Sequence, residues 1–236
     1  MFKIINSLSI VIPIFNEERR LQKSLRKIIK FIKNKKVEVI FINDGSTDLS
    51  LKTLEEFKKN NKKIKIINLK KNIGKGGAIR RGIKKAKYQW ILTIDIDLSV
   101  PITEILSWLK NNYINNKNYI YFGSRSNKKS KVRSKIYRDI FGKILSILIN
   151  LLLDIKITDT QCGFKLYKNK IAKKLFSKIT RTGYEHDIEL TLLARNHNIT
   201  IKELPVTWTH KTGSKVNLLV DSIKVLWSII ILKTRY

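Results

Sequence analysis

The chain holds a single cysteine, Cys162, among 236 residues. That excludes an internal disulfide and fits a reducing cytosol. No run of 18 or more apolar residues is free of charge, so no spanning helix is expected. Residues 1–7 are too short for a secretory signal ahead of the first apolar strand, and none is expected. Acidic residues are scarce: 18 Asp and Glu stand against 49 Lys and Arg, a formal charge of +31. Such a field attracts anions, including nucleotide diphosphates and anionic lipid surfaces. Ile and Asn are abundant too, so many lysines read equally as drift on solvated faces. Nucleic acid also suits this charge. However, the aromatics are not interleaved with the basic residues as a stacking platform requires, and no nucleic-acid partner is expected. There is no repeat and no linker, and the length fits one domain spanning 1–236.

The first half alternates strand and helix. Apolar runs at 8–14, 37–42, 64–69, 90–94 and 119–123 read as strands, and 17–32, 50–59, 74–86 and 103–111 as helices. Leu21, Leu25, Ile28, Ile29 and Ile32 share one helical face. This order predicts an α/β fold with a mostly parallel sheet covered by helices on both faces. The second half differs. Residues 128–138 read as a basic loop and 137–153 as a helix with a broad apolar face. A turn and short strand follow at 159–167, then a helix at 183–196. A strand at 199–208 runs around Pro205, and a very apolar helix spans 218–232.

Asp95 and Asp97 end the apolar run Trp90-Ile-Leu-Thr-Ile94. Carboxylates at the carboxyl end of a buried parallel strand emerge where open α/β sheets bind ligands. They are hard ligands suited to Mg²⁺ or Mn²⁺ with positions left for substrate phosphates. A solvated strand end is the plain alternative. Asp44 ends the second strand and Pro13 to Glu18 follow the first, so these loops open at the same edge. A carboxylate there can accept from a nucleobase, or cap a turn and helix. Gly74-Lys-Gly-Gly-Ala-Ile-Arg-Arg-Gly82 starts a helix but matches neither a dinucleotide site, since residue 79 is Ile, nor a P-loop. Its N-terminus with Lys75 can hold an anion; equally, its small residues can let the helix pack close to the sheet.

Together, Val11-Ile-Pro-Ile-Phe-Asn-Glu-Glu18, Asn43-Asp-Gly-Ser-Thr-Asp48, Gly74-Lys-Gly-Gly-Ala78, Asp95-Ile-Asp97 and Gly123-Ser-Arg125 resemble the ordered motifs of family 2 glycosyltransferases with the GT-A fold. Asp159-Thr-Gln-Cys-Gly-Phe-Lys165, Asp187-Ile-Glu-Leu190 and Trp208-x-His-x-x-Gly-Ser-Lys215 resemble the dolichyl-phosphate β-glucosyltransferases and their polyprenyl-phosphate relatives. Two departures stand out. The usual double aspartate is Asn43-Asp44, and the N-terminal membrane helix of the eukaryotic glucosyl enzymes is not expected here.

The resemblance implies a GT-A nucleotide-diphospho-sugar transferase fold, with 1–123 binding the nucleotide sugar and 124–236 the acceptor. It implies inverting transfer of a hexose from a nucleotide sugar, UDP-glucose favoured, to a polyprenyl or dolichyl monophosphate. Pro13, Glu18, Asp44, Asp95 and Lys75 would bind the donor. Asp95 and Asp97, with His210 as a late contact, would hold Mg²⁺ or Mn²⁺. Arg125, Arg133, Arg138 and Lys215 would meet phosphates, and Gln161 and Gly163, beside Cys162, would shape the sugar and acceptor pocket. Asp187 falls where many relatives place a catalytic carboxylate, so Asp187, Arg125 and Lys215 are the expected catalytic residues.

A phosphate monoester has a second pKa near ~6 and needs little help from a base, so Asp187 is expected to orient the sugar or a cation. A saccharide hydroxyl acceptor is the rival reading, with Asp187 a true base. Apolar residues of 137–153 (Phe141, Ile144, Leu145, Leu148, Leu151, Leu152) and of 218–232 (Val225, Trp227, Ile229, Ile230, Leu232) lie among basic ones. They suit a peripheral place on the cytoplasmic face of a membrane, or else cover the sheet or form a homo-oligomer.

Overall fold

The computed structural model describes residues 4–115, 119–133, 146–211 and 218–236, the last stretch by backbone alone up to 226. A seven-stranded sheet runs in the order β3-β2-β1-β4-β7-β5-β8. Its strands are β1 (Leu8–Ile14), β2 (Val37–Asp44), β3 (Ile64–Leu69), β4 (Trp90–Thr93), β5 (Ile120–Ser124), β7 (Lys165–Lys168) and β8 (Ile201–Pro205). Strand β2 is buried along its whole length, as suits a strand covered on both faces. Side chains alternate along the strands and feed two cores. Ile10, Ile12, Val39, Phe41 and Leu92 pack with helices α1 (Glu18–Ile32), α2 (Ser50–Lys59) and α4 (Glu104–Lys110). On the opposite face Val11, Ile40, Ile42 and Ile91 meet α3 (Lys75–Lys85), α6 (Asn169–Phe176) and α7 (His186–Asn196).

Strands β3, β2, β1 and β4 are mutually parallel. The connection reverses direction between β1 and β4, so a crevice opens at their carboxyl ends. The sheet is mostly parallel, as expected; in the second half β7 enters antiparallel to both β4 and β5, while β8 is parallel to β5. The expected strand at 199–208 is two strands. At Pro205 the chain leaves the sheet, and β9 (Thr207–Thr209) pairs in parallel with β6 (Lys131–Arg133). The Val206 N–H donates to Ser130 Oγ and its carbonyl accepts from the Lys131 N–H, which fixes the crossing. Thus part of the expected 128–138 loop is a strand. Helix α6 was not anticipated, although Ile171, Ala172, Leu175 and Phe176 repeat at helical spacing.

A third core joins α5 (residues 146–153), α7 and α8 (Leu218–Arg235) through Ile149, Leu153, Ile188, Leu192, Ile229 and Leu232. Helix α7 is therefore covered on two sides, which is why all residues from His186 to Ala194 are buried. Phe141, Ile144, Leu145 and the side chain of Val225 lie outside the described residues.

Candidate active site

Strand β4 delivers Asp95 to the crevice. The Ile94 N–H donates to the Val11 carbonyl, and the Leu98 N–H closes a turn onto the Asp95 carbonyl. Leu98 sits at φ 50°, a left-handed conformation that side chains adopt at a cost. Asp97 fixes this turn by accepting from both the N–H and the hydroxyl of Ser99, each at 2.9 Å. The side chain of Asp95 is 40% exposed and that of Asp97 23%. Arg20 of α1, paired with Glu17, lies 3.9 Å from Asp97. Lys75 Nζ lies 2.7 Å from Asp95 Oδ1. A methyl group at Gly163 would fall 2.1 Å from Asp95 Oδ2, so the absence of a side chain there makes room for the carboxylate.

Asp95 and Asp97 offer hard oxygen donors with solvent on one side. Among the described residues no group of three or more His, Cys, Asp or Glu could hold a metal ion. A divalent ion here would complete its shell with oxygens of a substrate, the habit of Mg²⁺ on a phosphate. The residues fit such an ion, and the Lys75 ammonium already marks the spot as attractive to a cation. His210 does not complete a protein ligand set. Its N–H donates to the Arg133 carbonyl and its ring lies 6.1 Å from Trp208, in the β6–β9 ribbon. The Thr209 N–H, bonded to the Ser99 carbonyl, ties that ribbon to the Asp97 turn.

The expected donor corner is a net of loop contacts. Asp44 is buried and accepts from the Ile73 and Gly74 N–H groups at 2.9 and 3.0 Å, holding the loop that starts α3. Burial raises its pKa against the lowering effect of those two donors. Glu18 accepts from the Leu49 N–H while Asp48 accepts from the Glu18 N–H. Pro13 stands in β1 opposite Ile42. The glycines of α3 serve close packing: a methyl at Gly82 would meet Val11 at 2.4 Å, and one at Gly76 would meet His186 at 2.5 Å. The Gly77 N–H donates to the Thr182 carbonyl. Lys75 also lies 5.8 Å from the Tyr184 ring. Its pKa is raised; burial opposes this, and Asp95 and Asp187 favour the ammonium.

Asp187 lies beneath this surface. Its Oδ1 meets Lys165 Nζ at 2.5 Å and His186 Nε2 at 3.1 Å, and all three side chains are buried. Lys165 Nζ also donates to the Thr160 carbonyl, and His186 Nδ1 is 2.7 Å from the Gly183 carbonyl. Burial alone would raise the pKa of Asp187, but His186 and Lys165 hold it well below the usual carboxylate range. Arg125 is bidentate to Asp159, with Nε and Nη2 each at 2.7 Å. It is therefore committed to the 159–163 loop, where Asp159 also accepts from the Gln161 and Cys162 N–H groups. Burial pushes the Cys162 thiol up to about 12, so it stays a packed, neutral thiol. Gln161 Nε2 approaches the Tyr184 carbonyl at 3.5 Å. Arg133 is exposed; Arg138 and Lys215 lie outside the described residues. The reading from sequence assigned no role to Lys165, His186, Tyr184 or Arg20. A lysine in a short strand carries no local sign that it is buried.

The family described as glycosyl transferase family 2 matches residues 9–176. The chain is 32% identical to the dolichyl-phosphate β-glucosyltransferase of Dictyostelium discoideum, over 97% of this chain and 74% of that protein. It is 31% identical to the human dolichyl-phosphate β-glucosyltransferase, over 89% of this chain and 69% of that one. Glucosyl-3-phosphoglycerate synthase from Mycobacterium tuberculosis, solved with Mn²⁺, UDP-glucose and phosphoglyceric acid, superposes with a TM-score of 0.70 at 18% identity, covering 97% of this chain and 80% of that one. That likeness carries the GT-A fold. The family match over residues 9–176 and the relatives at 31–32% identity place the chain in glycosyl transferase family 2, as a glycosyltransferase.

Proposed function

We propose that the protein transfers glucose from UDP-glucose, with inversion, to a polyprenyl or dolichyl monophosphate at a membrane surface. The observation that carries the choice of acceptor is the state of Asp187. It is buried against Lys165 and His186, and its pKa is lowered. A carboxylate so stabilised as the anion takes a proton poorly. A hydroxyl acceptor needs a base, whereas a phosphate acceptor is already a nucleophilic anion at neutral pH. The relatives named for dolichyl phosphate support the same acceptor.

In this reading an acceptor phosphate oxygen attacks the anomeric carbon of glucose. The bond from that carbon to the diphosphate oxygen breaks, and UDP leaves from the opposite face. Asp95 and Asp97 would hold Mg²⁺ or Mn²⁺, which, when bound, offsets charge on the leaving diphosphate. Asp44 sets the loop before Lys75 and Glu18 braces the loop across from it, so both shape the nucleotide end. Asp187 and Lys165 keep the 160–163 loop and the start of α7 in register under the sugar. Arg125 orients the same loop through Asp159. Arg133 is an exposed cation for the acceptor phosphate, and Arg138 and Lys215 are proposed for the same charge.

The lipid tail and membrane would meet α5 and α8, where Leu151 is 78% and Trp227 66% exposed. Among the described residues no helix is long and apolar enough to cross a membrane. The test is incubation with a panel of nucleotide sugars, Mg²⁺ or Mn²⁺, and either polyprenyl phosphate or a free saccharide, with identification of the product. Glucosyl phosphoryl polyprenol from UDP-glucose is expected, and Asp187→Asn should retain measurable transfer. Transfer to the saccharide alone would refute the lipid-phosphate acceptor.

A further inference from the structure

Asp95 meets the crevice with one oxygen already engaged. Oδ2 lies where a methyl on Gly163 would come within 2.1 Å, so the chain at Gly163 closes that side. Oδ1 holds Lys75 Nζ at 2.7 Å. The lysine is carried there by the start of α3, which Asp44 and Thr182 fix through the Gly74 and Gly77 N–H groups. A divalent ion that takes Asp95 Oδ1 must displace the ammonium. The displaced ammonium then needs another anion: the Tyr184 ring lies 5.8 Å away, and Asp187, which also favours the ammonium, is shared with Lys165 and His186.

We propose that Lys75 is a displaceable counter-ion of Asp95. It occupies the carboxylate while the site lacks nucleotide, and passes to a diphosphate oxygen when a divalent ion and a nucleoside diphosphate enter together. This rests on the reading that Asp95 receives the metal ion of the donor. Without nucleotide, the ion must expel a cation from its nearest carboxylate with no new anionic partner supplied, so it binds more weakly. With nucleotide, the expelled ammonium acquires a charged partner. Metal and nucleotide therefore favour each other's binding, and by linkage the factor is the same in both directions.

The test measures Mn²⁺ affinity directly, by paramagnetic resonance of the free ion, on the full chain with and without UDP. The variants are Lys75→Met and Asp95→Asn, with circular dichroism to confirm folding. Without UDP, Lys75→Met should bind Mn²⁺ about fivefold more tightly than the parent, the scale of a partly exposed ion pair. The tightening of Mn²⁺ by UDP should shrink by a similar factor in Lys75→Met. Equal Mn²⁺ affinities of Lys75→Met and the parent, with Asp95→Asn weakened, would overturn the counter-ion and leave the metal reading standing. Mn²⁺ binding unaffected by Asp95→Asn would overturn both.

Discussion

Lys165 and Asp187 form an ion pair at 2.5 Å with neither side chain open to water. Removing one partner strands the other charge in the interior. Lys165→Met alone should cost roughly 3–5 kcal/mol, while Lys165→Met with Asp187→Leu should recover much of it. Urea denaturation of the single and double variants checks this. Asp159 and Asp187 both have folded-state pKa values below those of the unfolded chain, since charged partners outweigh burial. Their stabilisation is complete above the ordinary aspartate pKa of about 4 and is lost as pH falls toward the depressed folded values. The urea midpoint should therefore drop steeply below that pH, and Asp159→Asn should flatten the drop. At Gly163 an added methyl must push Asp95 aside. Gly163→Ala should lower turnover by about 10²-fold, the scale for misplacing a reacting group, with the far-ultraviolet spectrum unchanged.

Helix α3 holds the two sides of the site together. Its Gly82 lets it lie on Val11 and Ile42, its Gly76 admits His186, and its first residue is Lys75. Gly82→Ala crowds the sheet and should destabilise the chain by about 1–3 kcal/mol, read from chemical denaturation. Helix α7 gathers charged partners along its length. Buried Glu189 accepts from the Thr180 and Arg181 N–H groups and from the Tyr236 hydroxyl, which couples the end of α8 to the 180–184 segment beside Lys75.

The chain carries a charge of +31, and among the described residues two well-packed sheet faces stand beside an exposed apolar ridge. Ile147, Leu151, Trp227 and Ile230 are exposed on α5 and α8, whose inner faces pack on α7. Large exposed apolar side chains on paired helices suit a membrane interface. The protein should sediment with anionic liposomes at low salt, release partly at high salt, and lose retention in Trp227→Ser with Leu151→Ser. Sedimentation equal to that with neutral liposomes at every salt concentration would count against the electrostatic part.

Much of the architecture was legible before the structure. Apolar runs and helical periodicity record which face of an element is buried, and they placed β1 to β5 and α1 to α4 in order. The acidic pair after β4 was legible for the same reason, since an open sheet presents its carboxyl ends to ligands. The shared motifs pointed to the family. Partners distant in sequence were not legible. Lys75 with Asp95, Arg125 with Asp159, and Lys165 with Asp187 are joined only when α3 meets the end of β4, the end of β5 meets the 159–163 loop, and β7 meets α7. The antiparallel entry of β7 and the change of sheet at Pro205 were equally hidden. Periodicity is a local quantity, set by neighbours along the chain. Which charge neutralises which is decided by distance through a low-dielectric interior, and that distance exists only in the folded molecule.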